Sequence, residues 1–133
     1  MEENISYFKA YYSDTDAYGV VWHGSYLRWL EAGRMEYLYK RGICIDEVYE
    51  RTGIVMPVIE LSIKYKSSAK NGDEVAVITT VNELKPHYIT FNQTIKDKNS
   101  DKIFVSAKVK CVGVNKDTQA IVRTLDKLIE VGV

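Results

Sequence analysis

Apolar positions recur every three or four residues over only one long stretch of the chain. From about residue 21 or 25 to residue 41, Leu27, Leu30, Arg34, Leu38 and Arg41 fall near one stripe, the period of a helix lying on a core. Gly42 is a natural stop, and Lys40 and Arg41 suit the negative end of the helix dipole. Before this helix, residues 5–12 read as a first strand. After it, apart from a short helical turn over residues 46–51, the rhythm is two. Val55, Pro57, Ile59, Leu61, Ile63 and Tyr65 share one face of an expected long strand. Val75, Val77, Thr79 and Val81 line a second over residues 75–84, and Ile89, Phe91, Gln93 and Ile95 a third over residues 88–96. Ile103, Val105, Ala107, Val109 and Cys111 line the last long one. Asn71-Gly72-Asp73, Lys85-Pro86-His87 and the polar loop 97–101 supply the breaks, and residues 124–131 read as a short helix.

A long helix followed by successive antiparallel strands predicts an α+β fold, with the helix against one face of a sheet. The 133 residues are enough for one domain with a real core, so residues 1–133 are expected as a single domain. With 46% hydrophobic and 27% charged residues, the composition is that of a soluble globular protein. Eighteen basic and eighteen acidic side chains cancel, so no overall field draws the chain to nucleic acid or to an anionic membrane. No apolar run approaches the ~18 residues of a spanning helix. The opening Met1-Glu2-Glu3-Asn4 lacks the apolar core of a signal peptide, so a cytoplasmic location is expected. Cys44 and Cys111 stand far apart without a CxxC or Cys/His pattern and read as reduced thiols, with no metal site expected.

The candidate chemistry is concentrated where the first strand meets the helix, in Tyr11-Tyr12-Ser13-Asp14-Thr15-Asp16-Ala17-Tyr18-Gly19-Val20-Val21-Trp22-His23-Gly24-Ser25-Tyr26. A helix N-terminus offers unpaired N–H donors and the positive end of a dipole, which favour developing negative charge. A carboxylate beside such an oxyanion site is what acyl-group hydrolysis needs. If the segment is extended, Asp14 and Asp16 point the same way and could raise one pKa. Asp16 could instead cap the helix or form an Asx turn.

The order Tyr-x-x-x-Asp-x-x-Gly-Val-Val-x-His-x-x-Tyr from Tyr12 to Tyr26, followed by Glu31 and Arg34, resembles the signature of the hotdog-fold acyl-CoA thioesterases. The similarity is to the branch of 4-hydroxybenzoyl-CoA thioesterase and the Tol-Pal-associated bacterial thioesterase. The dense motif covers the first quarter of the chain. The resemblance implies a long central helix wrapped by a curved antiparallel sheet of about five strands. It also implies a homodimer or homotetramer that completes the sites between subunits. The implied reaction is hydrolysis of a small or medium acyl-CoA, with no cofactor, since coenzyme A is part of the substrate.

By the same resemblance Asp16 is the catalytic carboxylate, acting as general base or as nucleophile through an anhydride. Asp14 is left to solvated loop hydrogen bonding. Gly19 lets the turn take φ > 0 or approach a ligand, and a backbone N–H near His23 becomes the oxyanion donor. The His23 imidazole could bind the thioester carbonyl, orient water, or merely pack. Tyr12 could position the acid, or be a core aromatic on the strand. Tyr18, Val21, Trp22 and Tyr26 are candidate acyl-pocket residues, with core or interface packing as the alternative for the aromatics. Glu31 is a reserve acid that could instead pair with Arg34. Lys64, Lys66, Ser67, Ser68 and Lys70 form a locally basic stretch that could take the phosphates of coenzyme A or be a solvated edge. Two further readings compete: a thioesterase of acyl carrier protein, recognised through a basic patch, and a non-catalytic module that binds acyl thioesters.

Overall fold

A computed structural model describes residues 2–131. Strands β1 (Glu3–Lys9), β3 (Val58–Tyr65), β4 (Glu74–Leu84), β5 (Tyr88–Asp97) and β6 (Ile103–Val112) form a sheet in the order β1-β4-β5-β6-β3, with every neighbouring pair antiparallel. Helix α1 (His23–Tyr39) lies across β1, β4 and β5 on one face. Helix α2 (Ile45–Thr52) leads into β2 (Ile54–Val55), which pairs with β7 (Val114–Asn115), and α3 (Leu125–Val131) packs near β5. This is the α+β hotdog arrangement expected from the sequence. Among the described residues, no helix is long and apolar enough to cross a membrane.

α1 buries Ser25, Tyr26, Trp29, Leu30, Gly33, Arg34, Tyr37 and Leu38. Leu30, Arg34 and Leu38 of the expected stripe are buried and Arg41 is half-buried, while Leu27 stays 41% exposed. Large amphipathic aromatics, Tyr26, Trp29 and Tyr37, take the inward positions that a pattern of aliphatics alone would miss. A Cβ at Gly33 would stand 2.8 Å from Thr79 Oγ1 and 2.9 Å from Val77 Cγ1, so glycine is what lets α1 rest this close to β4. Two apolar clusters sit under the halves of α1, one around Trp29, Leu30, Val77 and Ile95, the other around Leu38, Phe91, Val109 and Leu125. Between them lies a polar layer. Arg34 Nη1 donates to Gln93 Oε1 at 3.0 Å, and Gln93 Nε2 donates to the Leu30 carbonyl and Thr79 Oγ1, both at 2.9 Å. These bonds offset much of the cost of burying the layer, although Arg34 Nε meets no acceptor among the described residues.

The first two expected strands differ from the structure. β1 ends at Lys9, and Tyr12 lies in a 3₁₀ turn (Tyr12–Asp14). Within β1 the inward positions are Asn4 and Ser6, joined by a 2.9 Å hydrogen bond, while Ile5 and Tyr7 face outward. The expected long strand 55–65 is cut near Pro57, so β2 and β3 belong to different sheets. Proline has no N–H for a ladder. Among the described residues β3 hydrogen-bonds only to β6, and its other edge is open. Ile59, Leu61 and Tyr65 on it are 51%, 42% and 44% exposed, an apolar row uncovered by this chain. β4, β5 and β6, by contrast, follow the period-two pattern closely, with a hairpin reversing the chain at residues 85–87.

Candidate active site

The segment between β1 and α1 folds into two tight local units. The Asp16 N–H donates to the Val20 carbonyl at 2.9 Å and the Gly19 N–H to the Asp16 carbonyl at 3.0 Å. Gly19 has φ +79°. This is a three-residue hairpin loop with a left-handed glycine in the last position, which costs glycine little. Asp16 stands at its corner, exposed, with Oδ1 accepting the Tyr18 N–H at 2.8 Å. The return arm is anchored, because the Val21 N–H donates to the Ala69 carbonyl at 2.9 Å and Val20 bridges Lys70. The basic stretch 66–70 is thereby brought beside the hairpin.

Asp14 does not point with Asp16. The 3₁₀ turn rotates it inward, where only 4% of it is exposed, so the expected solvated role is overturned. Oδ2 accepts the Tyr11 N–H at 2.9 Å, and Oδ1 accepts the Ser25 hydroxyl at 2.8 Å and Arg28 Nη2 at 2.7 Å. Its carbonyl accepts the Trp22 N–H at 2.9 Å. Burial pushes the Asp14 carboxyl up, but these donors more than offset it, and its pKa lies below the ordinary carboxylate range.

α1 starts at His23, within the expected window, after Trp22 in extended conformation. No side chain caps it, and its first turn holds no acid. The N–H groups of His23 and Gly24 meet no acceptor among the described residues. They are the open donors that a helix N-terminus presents to an anion. The exposed His23 ring meets Tyr65, at the end of β3, edge-on at 5.0 Å between centroids. Tyr65 also touches the Tyr26 ring at 5.8 Å.

The other candidates divide clearly. Tyr12 and Tyr18 are 82% and 90% exposed, so Tyr12 is not a core aromatic. Trp22 is half-exposed and folds its indole over Gly24, where a Cβ would lie 2.3 Å from the ring. Val21 and Tyr26 are buried in the core cluster beside Trp29 and Leu30. The Tyr26 hydroxyl accepts the buried N–H of Ala69. Lys66 and Ser67 are tied to the end of β6, Lys66 through its N–H to the Phe104 carbonyl and Ser67 through its hydroxyl to the Ile103 carbonyl. Ser68 is exposed. Glu31 is exposed and makes no ion pair with Arg34 among the described residues, because Arg34 turns to Gln93.

A cavity of about 810 Å³ opens between β1, the 3₁₀ turn and the start of α1, lined by Tyr11, Asp14, Trp22, Gly24, Ser25, Arg28 and neighbours. Ser25, Arg28 and Tyr65 are absent from the sequence-based candidates. Ser25 and Arg28 lie one turn apart on the helix facing Asp14, a spacing that could have marked them. Tyr65 reaches the site only through tertiary contact. No group of three or more His, Cys, Asp or Glu among the described residues is arranged to hold a metal.

Three comparisons with known proteins bear on the chain. The profile of the thioesterase-like superfamily matches residues 12–130. The acyl-CoA thioesterase YbgC of Haemophilus influenzae is 35% identical over 108 residues, covering 81% of this chain and 79% of that one. The DHNA-CoA thioesterase of Staphylococcus aureus superposes with a TM-score of 0.86 at 28% identity, covering 92% of this chain and 81% of that one. The 4-hydroxybenzoyl-CoA thioesterase of Pseudomonas sp. strain CBS-3 shares the fold with a TM-score of 0.87 at 20% identity, over 98% of this chain and 99% of that one. The chain belongs to the thioesterase-like superfamily.

Proposed function

We propose that this protein is an acyl-CoA thioesterase, which adds water across R–CO–S–CoA to give the free acid and the coenzyme A thiol. The observation that carries the reading is the exposed Asp16 carboxylate on a hairpin that runs directly into an uncapped helix N-terminus. Asp16 takes a proton from water or attacks the carbonyl carbon itself, and the His23 and Gly24 N–H groups receive the oxyanion. His23 and Tyr12 border this site, Tyr18 and Trp22 offer it apolar surface, and Lys66, Ser67 and Ser68 lie on the adjoining loop for the phosphates. No metal or separate cofactor enters the scheme.

The working form is a homo-oligomer of single-domain chains in the cytoplasm. The open edge of β3 and its exposed Ile59, Leu61 and Tyr65 support pairing with a second copy, which would also cover the side of the site that Tyr65 borders. A second reading, hydrolysis of acyl carrier protein thioesters, draws on Lys64, Lys66 and Lys108, which line one groove of about 310 Å³ on the outer sheet face. An acidic carrier would bind there with a steep salt dependence.

Free-thiol release from short, long and aromatic acyl-CoAs tests the function. Turnover of at least one class is expected. Release from none, with turnover of an acylated carrier protein instead, would replace the first reading by the second. Release from neither would leave a binding module.

A further inference from the structure

Asp14 is the buried anion nearest the start of α1, and both its carboxylate oxygens and its carbonyl are engaged. Tyr11, Ser25 and Arg28 occupy its carboxylate and Trp22 its carbonyl. These partners lie on both sides of the Asp16 hairpin and on the first two turns of the helix. A single residue therefore closes the 11–22 loop onto α1 and sets where its tip stands. None of its oxygens is spent on the N–H groups of His23 or Gly24, which an untethered carboxylate would cap. Ser25 and Arg28 instead hold its Oδ1 at 2.8 and 2.7 Å. Arg28 also balances its charge, so a fixed negative group beside the helix end does not oppose a second one forming there.

We propose that Asp14 is a positioning residue for thioester hydrolysis: through Ser25 and Arg28 it fixes the Asp16 hairpin relative to the open N–H groups of α1 and keeps those groups uncapped. The inference rests on the reading in which Asp16 and these donors act on the thioester. A purely structural tie would lower the melting temperature and leave the rate of the folded protein alone. A positioning tie lowers kcat in folded protein, because misplacement by about 1 Å can cost 10²-fold.

The test is steady-state kinetics of wild type, Asp14→Asn and Ser25→Ala on one acyl-CoA well below their melting temperatures, with binding of a non-hydrolysable thioether analogue measured alongside. Wild-type turnover comes first, and its absence would sink the thioesterase reading itself and this proposal with it. Given wild-type turnover, kcat is expected to fall about ten- to a hundredfold in Asp14→Asn. A smaller fall is expected in Ser25→Ala, with KM and analogue binding near wild type in both. Folded variants with kcat within about twofold of wild type, whatever their melting temperatures, would overturn the proposal. If Asp14→Asn does not fold, Ser25→Ala decides alone. A kcat loss at unchanged KM supports positioning, and an unchanged kcat overturns it.

Discussion

The hydroxyl of Tyr26, in the first turn of α1, accepts the N–H of Ala69 at 2.9 Å, and the Ala69 carbonyl in turn accepts the N–H of Val21. One residue of the 66–73 loop thus joins the helix to the return arm of the Asp16 hairpin. Burial raises the pKa of the Tyr26 hydroxyl from its ordinary phenol value, so it stays protonated at neutral pH. Tyr26→Phe keeps the ring against Trp29 and removes the acceptor, leaving the Ala69 N–H buried and unpaired. The variant is expected to be about 1–3 kcal/mol less stable by urea unfolding at an unchanged m-value. A midpoint equal to wild type would contradict the account.

Gly33→Ala separates helix propensity from packing. Propensity alone would make alanine stabilising by about 1 kcal/mol. The contacts at 2.8 and 2.9 Å with Thr79 and Val77 demand instead that α1 move off β4. The expected outcome is a loss of about 1–3 kcal/mol, read from the denaturant midpoint. A gain in stability would show that helix and sheet are less tightly fitted than the geometry states.

Asp14 gives the acid limb of stability a definite sign. Its folded pKa is depressed, so the stabilisation is present in full above the ordinary carboxylate range. It is lost as pH falls through that range toward the lowered value, where the carboxyl protonates in the folded chain too. The stability difference between wild type and Asp14→Asn is therefore expected to shrink as unfolding is followed from neutral pH to about pH 3. A difference that stays constant would mean that Asp14 contributes nothing through its charge.

Leu61→Lys tests whether a second copy covers β3. A lysine in this exposed row opposes strand pairing while disturbing little inside the chain. Sedimentation velocity is expected to show wild type above the 15.2 kDa of one chain and the variant at one chain's mass, with most turnover lost. A monomeric, fully active wild type would rule out a shared site.

How far these relationships are legible in the sequence differs by element. The period-two arrays of β4, β5 and β6 are plain, because both ends of each strand carry turn residues and Ile89, Phe91 and Ile95 all face the core. The face of α1 is blurred because Leu27 and Tyr26 are neighbours only 100° apart, and the amphipathic tyrosine is the one buried. Asn4 and Ser6 look outward-facing until the hydrogen bond from Asn4 Nδ2 to the Ser6 hydroxyl is seen. The x-Asp-x-Asp spacing suggests two carboxylates side by side, and only the intervening 3₁₀ turn and hairpin send Asp14 inward and Asp16 outward. The motif marks Asp16 and His23, whereas Tyr65 arrives from β3 by tertiary packing, which no local pattern encodes.

The central claim is that the Asp16 carboxylate performs the chemistry without holding up the fold. Asn in its place can still accept the Tyr18 N–H, and the side chain is solvent-exposed, so the melting temperature is expected to stay near wild type. Free-thiol release by wild type and Asp16→Asn on the preferred acyl-CoA is the decisive comparison. The account predicts a fall in kcat of about 10³-fold or more, at least as large as the loss of an oxyanion donor, with acyl-CoA still bound. A folded Asp16→Asn protein that turns over within about tenfold of wild type would contradict it.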